Sequence, residues 1–201
     1  MSSKTIEHWL VRFGIDSDNQ HKSAHEILFK NLNSLDDKTK WLSNSSDQRV
    51  VQFVAYPEHV IARLNKEPRH VICLKVQKTF STDQEIELAV KLCGSLEKKK
   101  KIIGTEVKVS NGRILTDDEK LEFAENILIK SGLNVLGLAI QDSENIKFVK
   151  NKRIVQIKTF EVHAKCKIID LDKFVEAWNI GIGKRRTWGC GMLRVREAID
   201  V

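Results

Sequence analysis

Residues 154–183 read IVQIKTFEVHAKCKIIDLDKFVEAWNIGIG, and their periodicity changes once, near Asp170. Up to Ile169 the residues alternate. Val155, Ile157, Thr159, Glu161 and His163 fall on one face, and Gln156, Lys158, Phe160 and Val162 on the other. That period of two predicts a long strand, Ile154–Ile169. Beyond Asp170 the apolar positions are Leu171, Phe174, Val175 and Trp178, one side of a short helix. Gly181-Ile-Gly183 then breaks the pattern. A strand followed by a one-sided helix is half of a unit in which helices cover one face of a sheet.

Working outward, the same logic recurs. Thr116-Asp-Asp-Glu119 is a capping box that opens a helix running to about Lys130, with Gly132 placed as its C′ residue. Glu87–Leu92, Asn134–Ile140 and Gly189–Val195 read as strands. In the first half, Ile6–Phe13 reads as a strand. Ser23-Ala-His-Glu26 is a second capping box, and Ala24, Leu28, Leu32 and Leu35 follow at helical spacing. Arg49–Tyr56 reads as a strand ending at Pro57, His59–Asn65 as a weak helix and Val71–Val76 as a strand. Composition shifts at Ser81–Glu85. The expected fold class is therefore α+β, with two ferredoxin-like (RNA-recognition-type) domains built on antiparallel sheets, residues 1–80 and 85–201. The halves share element order but no sequence repeat.

The 201 residues carry a formal net charge of +7 and a pI near 9.2, which favours a polyanionic partner. No apolar run reaches the ~20 residues of a membrane span, and MSSKTIEHWLVRFG lacks the layout of a signal peptide. A cytoplasmic protein with no membrane partner is expected. The four cysteines, Cys73, Cys93, Cys166 and Cys190, form no CxxC pair. Cys73, Cys93 and Cys166 lie in apolar, strand-like runs. His163 and Cys166, the only near pair, suit a strand better than a zinc site. No metal and no cofactor is expected.

Residues 181–193, GIGKRRTWGCGML, hold four of the chain's ten glycines and three consecutive cations. They do not form a Walker loop, because position 178 is Trp178 and position 185 is Arg185. They do not form a dinucleotide fingerprint, because position 186 is Arg186. Both motifs also run from strand to helix, the reverse of the order here. What remains is a helix-to-strand connection with bare backbone and cations, suited to an anion or to a tight turn. Gly189 and Gly191, alternating around Cys190, are expected on a sheet edge with room for another backbone.

This segment resembles the C-terminal glycine-rich signature of the CRISPR-associated RAMP endoribonucleases, in particular the CasE family that cuts precursor CRISPR RNA. Gly181, Ile182, Gly183, Gly189, Cys190, Gly191 and Leu193 match the family pattern, Arg186 stands at its lysine and Met192 at a leucine. The preceding strand and helix match too, so the resemblance covers about 154–195. It implies two ferredoxin-like domains and metal-independent cleavage at a repeat stem-loop. The upstream 2′-OH would attack the scissile phosphate, giving 2′,3′-cyclic phosphate and 5′-OH ends, and the guide RNA would be retained. It also implies CRISPR repeat RNA and other subunits of a Cascade-like effector complex as partners.

Such chemistry needs a base, charge stabilisation and a proton donor. Lys22-Ser-Ala-His25-Glu-Ile-Leu28 is similar to the family's Tyr-x-x-His-x-x-Leu segment, with Lys22 where tyrosine is usual. The resemblance therefore nominates His25 as the catalytic base, with Lys22 supplying charge and His21 assisting. A helix N-terminus disfavours the protonated imidazole and offers free N–H groups to phosphate. Candidate RNA contacts are Lys30, Lys98, Lys99, Lys100, Lys101 and Arg113, then Gly181, Gly183, Lys184, Arg185, Arg186, Gly189 and Gly191. Arg185 and Arg186 suit stem phosphates through their bidentate fork. The competing reading is a RAMP-type subunit that holds or coats RNA without cutting it.

Overall fold

A computed structural model describes residues 2–15, 24–35, 51–56, 58–68, 71–96, 113–150 and 153–196. The elements run β1 (Ser3–Gly14), α1 (Ala24–Leu35), β2 (Val51–Ala55), β3 (His59–Leu64), β4 (Leu74–Ser81), β5 (Glu85–Cys93), β6 (Ser95–Leu96), β7 (Arg113–Ile114), α2 (Asp117–Lys130), β8 (Leu133–Lys150), β9 (Arg153–Ile168), α3 (Leu171–Ile180) and β10 (Arg194–Arg196). A 3-10 turn, Arg186–Trp188, lies between α3 and β10.

Two four-stranded antiparallel sheets result, with orders β2-β3-β1-β4 and β10-β5-β9-β8. Numbering the strands of each four-stranded sheet from one in chain order, both orders are 4-1-3-2. This is the ferredoxin-like arrangement, present twice, and the chain is α+β as its periodicities predict.

The first sheet buries alternate residues under α1. Leu28 and Leu32 of the helix pack on Val11, Val51, Phe53, Val60, Ala62 and Leu64. Strand β3 replaces the helix expected at His59–Asn65. Val60, Ala62 and Leu64 alternate toward α1, while β3 pairs with β2 and with β1. Burial on both neighbours decides the period in so short an apolar run. The strand expected at Val71–Val76 lies three residues later, as β4.

The second sheet covers its core with α2 and α3. Ile86, Leu88, Val90 and Leu92 of β5 and Phe160, Val162, Ala164 and Cys166 of β9 meet Ala124, Leu128, Phe174, Ala177 and Trp178. The Thr116 cap forms as predicted. Its hydroxyl accepts from the Glu119 amide, and the Glu119 carboxylate accepts from the Thr116 amide at 2.9 Å. Gly132 takes φ +82° just past the α2 C-cap. Cys166 faces this core and is fully buried, whereas half-buried His163 lies on the opposite face of β9. Cys93 and Cys190 are buried and Cys73 is half-buried ahead of β4.

The two cores join. Ile6 and Phe80 of the first sheet belong to the same apolar cluster as Phe174 and Trp178. The Phe80 ring meets Phe174 edge-on at 4.9 Å and Trp178 at 5.0 Å. Among the described residues no helix is long and apolar enough to cross a membrane.

Candidate nucleic-acid interface

The glycine-rich segment leaves the end of α3 and returns to the sheet at β10. Gly181 is the α3 C-cap, its amide donating to Ala177 O at 2.9 Å. The strand expected at Gly189–Val195 is confined to Arg194–Arg196. Gly189 and Gly191 have φ of +87° and +85°, left-handed values that interrupt a strand.

The backbone that approaches these glycines is the chain's own. The Gly191 amide donates to Lys91 O at 2.8 Å, and the Ile182 amide donates to Gly191 O at 2.9 Å. A Cβ on Gly191 would overlap the carbonyl oxygen of Ile182. A Cβ on Gly181 would stand 3.0 Å from Gly191 O, and one on Gly183 would stand 3.2 Å from the Ile127 side chain. Gly189 rests on the N-terminal half, where a Cβ would come 3.0 Å from the Phe53 ring. Gly181, Gly189 and Gly191 are buried. The bare backbone thus serves a loop folded onto itself and onto Phe53, rather than an open sheet edge.

Its outer surface is basic. Lys184 and Arg185 are exposed, Arg185 in the left-handed region at φ 62°. Arg186 turns inward, donating from Nη1 to Ile180 O and Gly181 O at 3.2 Å each, where a cation suits a helix C-terminus. The following turn, Arg186–Trp188, lies close to both β2 and α1. That proximity sets the segment near the helix whose second residue is His25. Lys30, also on α1, is exposed. His21, Lys22 and Lys98, Lys99, Lys100 and Lys101 lie outside the described residues, as does Ser23 of the first capping box. Arg113 is exposed but forks onto Glu119, which holds that carboxyl down to about 2.

Sequence reasoning missed what ties the segment to the first sheet. Arg63 of β3 is buried at 6% exposure. Its guanidinium donates to Trp178 O at 3.0 Å and to Leu193 O, and it stacks 3.7 Å above the Trp178 ring. Gln52 of β2 donates to the same Trp178 carbonyl at 2.8 Å. Arg194 pairs with Glu161 and reaches Tyr56 Oη at 3.1 Å. Around these groups lies a cavity of about 330 Å³, also lined by His8, Lys78 and Met192. Burial, with Arg63 and Lys78 nearby, pushes the His8 imidazole down to about 4. A cation within the apolar run VIARL was the available signal, since a strand seldom buries an arginine without a partner.

Residues 81–197 match the family described as CRISPR associated protein. The chain belongs to that family. No curated protein matches it. Among solved structures, this CRISPR associated protein is similar to Thermus thermophilus Cse3 bound to an RNA representing a pre-cleavage complex. That match has TM-score 0.63 and 14% identity, over 96% of this chain and 100% of that one. It is also similar to Cas6e from Escherichia coli K-12, with TM-score 0.66 and 14% identity over 93% and 98% of the two chains. A chain of a CRISPR RNA-guided surveillance complex matches with TM-score 0.60 and 13% identity over 93% and 98%. At these identities the likeness is one of fold.

Proposed function

We propose that this protein is a CasE-like endoribonuclease that cleaves precursor CRISPR RNA at the repeat stem-loop. The observation that carries the reading is the proximity of the glycine-rich segment's turn to α1. It sets the segment that carries exposed Lys184 and Arg185 near α1, a helix with a histidine at its second position, on a fold similar to RNA-bound Cse3. The unit of residues 1–80 would supply the catalytic histidine and the unit of 85–201 the basic surface.

In this mechanism His25 takes the proton of the 2′-OH. The 2′-oxygen attacks the adjacent phosphorus, and the bond to the 5′-oxygen breaks. The products are a 2′,3′-cyclic phosphate and a 5′-OH, the latter receiving a proton from His21 or solvent. In this role His25 acts as a neutral imidazole. Lys22 contributes charge to the phosphorane. No metal is required by this scheme. Lys184 and Arg185 track the stem phosphates, because duplex RNA offers shape and phosphate more readily than base edges. The product stays bound, for hand-over to a Cascade-like complex of the kind in which a similar chain is found.

A second reading is favoured by one residue. Lys22 stands where the CasE family has a tyrosine, and a non-cleaving hairpin-binding subunit needs no phenol. Incubation of a cognate repeat hairpin with wild type and His25→Ala in EDTA separates the two. EDTA-resistant product with a cyclic phosphate end, absent from His25→Ala, supports the nuclease. Salt-sensitive binding without cleavage supports the second reading. Full activity in His25→Ala refutes the site.

A further inference from the structure

Trp178 and Leu193 bracket the glycine-rich segment. The first is in the last turn of α3, and the second lies two residues past Gly191. Both carbonyls accept from one guanidinium, Arg63, which belongs to the other half of the molecule. Gln52 doubles the bond to Trp178, and Phe53 supports Gly189 from below. The strands β2 and β3 therefore grip both feet of the segment and its far turn. Arg63 and Gln52 project from the face of these strands opposite α1, whereas Phe53 lies on the α1 face.

We infer that Arg63 is a positioning residue that fixes the glycine-rich segment relative to α1, so that one site is assembled from both halves. The role in cleavage rests on the nuclease reading above, but the grip itself does not. Chemistry selects arginine here. A planar fork reaches two carbonyls in different directions, whereas an ammonium is a point charge on a flexible stem. The last turn of α3 also presents the negative end of its dipole to the cation. Stacking on Trp178 fixes the plane of the fork. Arg63 touches no reacting group in this scheme; it acts through Lys184, Arg185 and the turn close to α1.

The test compares wild type with Arg63→Lys and, because a buried arginine is replaced, with the milder Gln52→Leu. Two readouts are taken on the full chain, after thermal melting shows that each variant is folded. The first is amide hydrogen exchange at Ile182 and Gly191. Arg63→Lys should speed it by at least about tenfold, a loss of about 1.4 kcal/mol in local protection, with α2 amides unchanged. The second is single-turnover cleavage of a saturating repeat hairpin. The rate should fall on the order of 100-fold, as expected of a displacement near 1 Å. Hairpin affinity should stay within about threefold, because Lys184 and Arg185 are still present. Gln52→Leu should move both readouts in the same direction by less. Unchanged exchange overturns the grip, and faster exchange with an unchanged cleavage rate overturns its role in the reaction. If wild type does not cleave, the nuclease reading fails while the exchange measurement still decides the grip.

Discussion

Replacing Gly191 by alanine perturbs the glycine-rich segment at its tightest point. Gly191 sits at φ +85°, where an L-residue costs about 1–2 kcal/mol. The new methyl would overlap Ile182 O and lie 3.1 Å from the Ile182 nitrogen and carbonyl carbon, so the two strands of the loop must separate. Separation weakens two buried backbone hydrogen bonds, Ile182 to Gly191 O at 2.9 Å and Gly191 to Lys91 O at 2.8 Å. At about 1 kcal/mol each, these bring the expected loss to about 3–4 kcal/mol. For a chain of this size that lowers Tm by roughly 6–16 °C, at about 2–4 °C per kcal/mol. Thermal melting by circular dichroism measures it. Gly137→Ala is the control, since a Cβ there meets nothing within 4 Å. It should change stability by less than about 1 kcal/mol. A Gly191→Ala melt within about 2 °C of wild type would refute the account of a self-packed loop.

Three further expectations follow from named contacts. His8 has a folded pKa of about 4, below its ordinary 6.5, so between those values the unfolded chain binds more protons. Stability should be level above about 6.5 and fall toward 4, by about 2 kcal/mol at pH 5; urea midpoints of wild type should show this drop, and those of His8→Gln should not. Thr116→Ala removes the hydroxyl half of the α2 capping box and should cost about 1 kcal/mol by the same measurement. Removing Lys184 and Arg185 together should flatten the salt dependence of hairpin binding by about 1–2 units of log–log slope, read by fluorescence anisotropy.

The helices were legible because their signals are local. The Thr116 box and the one-sided pattern of Leu171, Phe174 and Trp178 each lie within a few turns. Strand β3 was not, because Val60, Ile61, Ala62 and Leu64 satisfy both periods and only the flanking strands choose between them. Strand β8 runs past its apolar part through Gln141, Asp142 and Ser143. Pairing with β9 sustains it there, rather than burial. At Gly189–Met192 the apolar alternation imitated a strand that left-handed glycines prevent. Of the candidate interface, the bare backbone and the cations could be read, but their division of labour could not. Arg186 caps a helix, while Lys184 and Arg185 face outward. Arg63 was invisible because its partners are main-chain carbonyls 115 and 130 positions away, and a carbonyl leaves no mark in a sequence.

That separation also has a meaning in time. A ribosome adds about 5–20 residues per second, so the 130 positions between Arg63 and Leu193 correspond to roughly 6–26 seconds of synthesis. Until Trp178 is added, 115 positions after Arg63, the cation has neither acceptor, and the pair is complete only at Leu193. The open face of β2 and β3 must stay hydrated, or be shielded by a chaperone, until the tail of the chain emerges to dock on it.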